Sequence, residues 1–189
     1  MKKGKIAAIA IISIFVLLLA GLYFWISGFS YKIKGADNPK ISKYPTVTDD
    51  FKAEDMGGYT DLTFQIYHTS AFIFYSDAST SVVSYDEQNF AKQKQQIDEK
   101  YMFLKEPVKS EFNSSDYVIP EAEFDIGNWH FRVVDKGEKN NYPKDINIIG
   151  INETEKKIAY IDFSDPDLDA IDTGKMKKFT KEYIGYKFK

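Results

Sequence analysis

From Ile6 to Tyr31 the chain carries no charged residue, and Ile6–Phe29 is almost wholly Ile, Ala, Val, Leu, Phe, Tyr and Trp. No other stretch restricts the chain so strongly. At about 1.5 Å per residue such a run makes a helix able to cross a hydrocarbon layer of roughly 30 Å with some tilt. Inside a bilayer a helix is the expected form, because a spanning segment must satisfy its backbone polar groups within itself. A cleaved secretion signal also places lysines before an apolar run, here Lys2, Lys3 and Lys5. Its apolar region usually lasts about 7–15 residues and ends at small residues. The one small pair, Ala20-Gly21, is followed by Leu22-Tyr23-Phe24-Trp25-Ile26, which stays apolar, so a retained anchor is expected. With no cysteine in the chain, a lipid-modified anchor is excluded.

Lysines set the expected orientation, since positive charge beside a spanning helix favours the cytoplasmic side. Lys2, Lys3 and Lys5 flank one end, while Lys32, Lys34, Lys40 and Lys43 flank the other. The short N-terminal tail and the order of charge before apolar run favour a cytoplasmic N-terminus. Tyr23, Trp25 and Tyr31 then fit an interfacial aromatic belt at the outer face. The expected organisation is a cytoplasmic tail (1–5), a transmembrane helix (6–29), a linker or stalk (30–58) and an extracytoplasmic α+β domain (59–189).

Electrostatics narrow the partners of that domain. The 25 basic and 28 acidic residues become 22 basic against 28 acidic from Ser30 onward, a net charge near −6. Nucleic acid, which needs a basic footprint, is not an expected partner. Without cysteine there is no disulfide, thiol nucleophile or thiolate-held metal, so the domain must rest on its hydrophobic core. Arg132 is the only arginine beside abundant Lys, Asn, Ile, Tyr and Phe, a bias that resembles the usage of an AT-rich bacterial genome.

The stretch from Gly35 to Asp50 is polar and broken by Pro39 and Pro45, with neither hydrophobic period. Beyond Tyr59, Leu62, Phe64 and Ile66 alternate with polar residues, the pattern of a half-buried strand. Ala71–Tyr75 is apolar on both faces and predicts a central strand, joined through His68-Thr69-Ser70. A helix is expected from Tyr85 to Leu104, with Ser84 and Glu87 as a capping box and Phe90, Ile97, Tyr101 and Leu104 at helical spacing. Strands should follow over Tyr117–Ile126, Trp129–Val133, Ile146–Ile151 and Lys157–Phe163. A last helix, Thr173–Ile184, should end at Gly185. The order is β-β-α-β-β-β-β-α, an α+β fold with an antiparallel sheet and two helices packed on one face.

Three constellations could carry chemistry. Asp162, Asp165, Asp167, Asp169 and Asp172 could offer hard oxygen ligands to calcium. An EF-hand loop starting at Asp165 would need Gly at its sixth position and Glu at its twelfth, where Ala170 and Met176 stand. A turn and the acidic start of a helix explain the cluster better. His68 and His130 are the only histidines, and with carboxylates such as Asp162 they could serve an envelope hydrolase. Neither sits in a metal-binding spacing, and Asp77–Ser81 reads as a strand-to-helix loop rather than a nucleophile elbow. Tyrosine and phenylalanine are plentiful, fitting either strand cores or an interaction surface. No catalytic residue, cofactor or metal ligand is therefore assigned. The expected role is a membrane-anchored, non-catalytic interaction or accessory module, for example of the immunity type. Its partners would be the bilayer, through residues 6–29, and a protein or envelope component.

Overall fold

The computed structural model describes residues 2–26, 29–34, 51, 56–71, 74–109, 117–142, 144–165 and 175–189. Among the described residues it is an α+β fold with an antiparallel sheet and three α-helices. Helix α1 runs Lys2–Ile26, and every side chain from Ile9 to Tyr23 is exposed. The described side chains of this helix are those of residues 9–23, and among the described residues no helix is long and apolar enough to cross a membrane.

The chain then enters β1 (Phe29–Lys34), which pairs antiparallel with β2 (Asp61–Ala71). These six residues were expected at the end of the transmembrane helix and in the stalk; they form an edge strand instead. Strand β2 pairs antiparallel with β3 (Phe74–Ser84), and helix α2 spans Glu87–Lys100. Short strands β4 (Met102–Phe103), β5 (Val108–Lys109), β6 (Tyr117–Ile119) and β7 (Glu123–Ile126) lead to β8 (Trp129–Asp135). Strands β9 (Asp145–Asn152) and β10 (Lys157–Ser164) form a hairpin, and α3 (Met176–Tyr183) is the last element. The sheet order is β1-β2-β3-β10-β9-β8, with β4 and β7 both on the outer edge of β8 and β5 paired with β6 apart.

The two helices of the domain cover opposite faces of this sheet, not one face. On the first, Leu62, Phe64, Val83, Ile149, Ile158 and Tyr160 pack against Phe90 and Ile97 of α2. On the second, Val82, Phe131, Ile148, Ile161 and Phe163 pack against Met176 and Phe179 of α3 and against Ile184. The layout follows from the strands. In β9, Ile146 to Ile151 are all buried, with Ile146 and Ile148 facing α3 and Ile149 and Ile151 facing α2. A strand apolar on both sides requires a cover on each. Gly150 lies opposite Phe131, whose ring occupies the space a Cβ would fill, with Cε1 2.3 Å from that position.

Other expectations shift locally. Helix α2 starts at Glu87 because Asp86, not Ser84, caps it: the Asn89 backbone N–H donates to Asp86 Oδ1 at 2.8 Å. It stops at Lys100, before Leu104, where the chain turns into β4 to pair with the end of β8. Of the strand expected over Ala71–Tyr75, Ala71 ends β2 and Phe74 and Tyr75 start β3, with Ala71 paired to Phe74; residues 72 and 73 lie outside the described residues. The Ser/Thr run expected as a loop is the interior of β3, between β2 and β10. Phe51 and Met56, placed in the linker, are fully buried beneath α2. Gly185 does follow α3, with φ of +70°, and Tyr67 packs beneath it.

Candidate functional site

Among the described residues, a cavity lies beside α2. Phe90, Gln93 and Ile97, three and four residues apart, turn toward the sheet and are buried, which fixes the roll of the helix. That roll sets Asn89, Gln96 and Lys100 along one flank, facing Gly57-Gly58 across a cavity of about 610 Å³. Tyr101 and Tyr160 also line it. Gly58 has φ of +77°, a backbone conformation that side chains rarely adopt, and Asn89 Oδ1 lies 2.8 Å from where a Cβ would stand.

Beneath the cavity is a buried polar pair. Gln93 Nε2 donates to the Tyr160 hydroxyl at 3.1 Å, and the Tyr85 hydroxyl donates to the Met56 carbonyl at 3.4 Å. Burial pushes both phenols well above their ordinary pKa near 10. Both stay protonated at neutral pH and serve as hydrogen-bond groups, not as bases. Phe51 tilts against Tyr160 at 5.4 Å and Tyr101 at 5.7 Å between ring centres, which holds the rings in place. Amides, lysine ammonium groups, the Glu99 carboxylate and phenols can hydrogen-bond a polar ligand along the flank of α2; none of them is an activated nucleophile.

The histidines do not meet. His68 on β2 and His130 on β8 are four strand steps apart in the sheet order, roughly 19 Å at about 4.8 Å per step. They also lie toward opposite ends of their strands, since His68 is level with Ser164 and His130 with Ile158 of β10. Each is tied into a cross-strand pair: His68 Nδ1 is 2.7 Å from Asp77 Oδ1, and His130 Nδ1 is 2.9 Å from Asp125 Oδ1. Glu123 approaches His130 from the same side, with 3.7 Å to Nε2. Neither ring lines the cavities flanking α2. A single acid–base site holding both histidines is ruled out by this separation.

Of the aspartates considered for calcium, Asp162 is a residue of β10 and Asp165 is fully buried just after it. Asp167, Asp169 and Asp172 lie outside the described residues. Among the described residues no group of three or more histidines and carboxylates is placed to hold a metal ion. Part of the aromatic content is core: Tyr85, Tyr160, Phe124, Phe131, Phe163 and Phe179 are buried.

The groove was not legible in the sequence. Its walls come from Gly57-Gly58, the polar flank of α2 and a tyrosine on β10, brought together only by the fold. The one signal available was the density of Asn, Gln and Lys along α2. No protein-family model, curated protein or solved structure matches the chain.

Proposed function

We propose that this chain is a single-pass membrane protein of the bacterial envelope whose exported α+β domain binds a partner without catalysis, through the groove beside α2. The groove carries this reading. It offers amide and ammonium donors over a protonated phenol floor, and the domain's histidines are held elsewhere in cross-strand pairs. A concave site with a few convergent polar groups is the form expected of a binding surface.

The anchor rests on the charge-free run of the sequence. At about 1.5 Å per residue, Ile6 to Ile26 would measure roughly 31 Å as helix, matching the hydrocarbon thickness. Lys2, Lys3 and Lys5 favour the cytoplasm for its N-terminal end, with Tyr23 and Trp25 at the outer interface. The partner class is a protein or an envelope polymer that meets the domain at the membrane.

Photo-crosslinking in intact cells tests the binding role. A photoreactive residue replacing Gln96, on the groove flank, should yield a discrete adduct, and one replacing exposed Lys187 should not. No adduct at position 96, or the same adducts at both positions, would refute the groove as the binding surface.

A further inference from the structure

The two flanks of α2 differ in charge. On the flank away from the groove the cations are matched by acids: Lys94 pairs with Glu153, Lys156 with Glu87 at 3.0 Å, and Arg132 with Asp98 at 2.7 Å. On the groove flank, Lys92 and Lys100 line the cavity with one acid, Glu99, whose Oε1 accepts from the Gln95 side-chain amide at 2.7 Å. A second cavity, of about 250 Å³, shares Lys100 and Tyr101 as a wall and adds Lys136, Lys139 and Asp135. Among the described residues the charged lining of the two cavities is therefore Lys92, Lys100, Lys136 and Lys139 against Glu99 and Asp135. This local excess of positive charge sits on a domain whose net charge is near −6.

Several of these groups are held in place. Lys136 Nζ donates to Oδ1 of buried Asn147 at 3.0 Å, and its backbone N–H donates to Asn140 Oδ1 at 2.8 Å. An ammonium has three N–H donors and keeps its charge in such a bond, so Asn147 aims the side chain without neutralising it. Asp135 is taken up by its own turn: Oδ1 accepts from the Gly137 backbone N–H at 2.9 Å and from the Asn140 side-chain amide at 2.7 Å. Glu138, on the same turn, is exposed and outside the lining. At the common wall the Lys100 ammonium lies 5.2 Å from the centre of the Tyr101 ring. Along α2, Lys92, Gln96 and Lys100 follow at intervals of four residues on one stripe of the helix. At about 1.5 Å per residue the two lysines stand roughly 12 Å apart along the axis, with the Gln96 amide between them.

We propose that, given the groove as the binding surface, the two adjoining cavities take one extended polyanion: a phosphodiester-linked polyol of the envelope, with phosphates at the lysines and hydroxyls at the Gln96 amide and the Tyr101 phenol. The length of the lysine row calls for a chain, not a single small anion. An ammonium on a flexible stem is a point charge, which suits successive phosphates without demanding one fixed approach. A protein partner fits less well, because protein interfaces are depleted in lysine and are built around aromatic and other apolar anchors. Here Phe51, Ile97 and Val134 of the walls are buried in the domain, and Met102 is the exposed apolar side chain.

The test uses the full chain in phosphatidylcholine nanodiscs and a fluorescently labelled glycerol-phosphate oligomer, read by anisotropy. Saturable binding is expected. Lys92→Gln combined with Lys139→Gln, two exposed positions in different cavities, should weaken it about tenfold. The charge-matched pair Lys181→Gln with Lys187→Gln, on α3 and the C-terminal tail, should change it by less than about twofold, since distant exposed charges are screened. Equal weakening by the two pairs would reduce the effect to net charge and overturn the assignment. Absence of oligomer binding, or equally tight binding of polyglutamate or of a single-stranded oligodeoxynucleotide, would overturn the polyol phosphate as ligand. If a photoreactive residue at position 96 traps a protein in cells while the oligomer does not bind, the polyanion is wrong and the groove stands. If neither is seen, the groove and its ligand fall together.

Discussion

Replacing Gly150 with alanine tests how the face under α3 is packed. The added methyl would stand 2.3 Å from Cε1 and 2.6 Å from Cδ1 of Phe131. That ring has little room to retreat, being fully buried between Phe124 at 5.1 Å and Phe188 at 4.9 Å. Overpacking of this kind costs about 1–3 kcal/mol. Removing a glycine from the unfolded ensemble returns about 0.4–1 kcal/mol. The net loss for Gly150→Ala is then about 1–2 kcal/mol, roughly 4–8 °C in Tm for a domain of this size. The second arm of the experiment is a double-mutant cycle with Phe131→Leu, which vacates the space over position 150. In that background Gly150→Ala should be neutral or stabilising, so the two substitutions couple by more than about 1 kcal/mol. Thermal unfolding of the full chain in detergent, followed by near-ultraviolet circular dichroism, reads both. Equal destabilisation by Gly150→Ala with and without Phe131 would refute the account of this contact.

Other consequences are as direct. Tyr160→Phe removes the hydroxyl that accepts from Gln93, a buried donor, and should cost about 1–3 kcal/mol in the same unfolding assay. Adding Gln93→Leu should recover part of that loss, because replacing both partners by apolar groups leaves no donor stranded. Gly185→Ala forces a left-handed backbone, φ +70°, onto a residue with a Cβ that would press on Tyr67; it should destabilise by at least about 1 kcal/mol, seen as a lower Tm. The Asp86 carboxyl is held below its ordinary value near 3.8 chiefly by the Asn89 backbone N–H and then by the Asn89 side chain. Its capping contribution is therefore complete above that ordinary value and is lost as the pH falls through the lowered one. Asp86→Asn caps without titrating, so the Tm of the parent should fall relative to this variant below about pH 4 in a pH series.

Several elements could be read directly from the residues. The alternation of Leu62, Phe64 and Ile66 marks β2, the polar turn at Asn152–Lys156 separates β9 from β10, and Gly185 closes α3. The failures have physical causes. The run around Ser79 and Ser81 resembles a loop by composition, yet it is the interior of β3 because only small side chains fit there. Ser81 sits directly between Phe64 and Tyr160 on adjacent strands, and its size makes room for both rings. In β1, Phe29, Tyr31 and Ile33 alternate with Ser30, Lys32 and Lys34, the period of a strand, but the segment joins the end of the long apolar run, which hides it; pairing with the open edge of β2 makes it a strand. Phe51 and Met56 are isolated apolar residues in a polar stretch, so no periodicity reveals that they fill space under Tyr85 and Tyr160. Helical spacing found Phe90 and Ile97 of α2 and Met176 and Phe179 of α3 but carries no information on which face of the sheet each helix covers. The groove inherits all of these uncertainties of assembly, since it joins the residues before β2 to the flank of α2 and to β10.

The central claim is that α1 anchors the chain and that the folded domain lies outside the cytoplasm. A single cysteine at Glu153→Cys, in the exposed turn between β9 and β10, tests it in intact cells with a membrane-impermeant maleimide. The account predicts full labelling before lysis, with the labelled protein remaining in the membrane fraction after alkaline carbonate extraction. Labelling only after lysis, or release of the chain by carbonate, would contradict it.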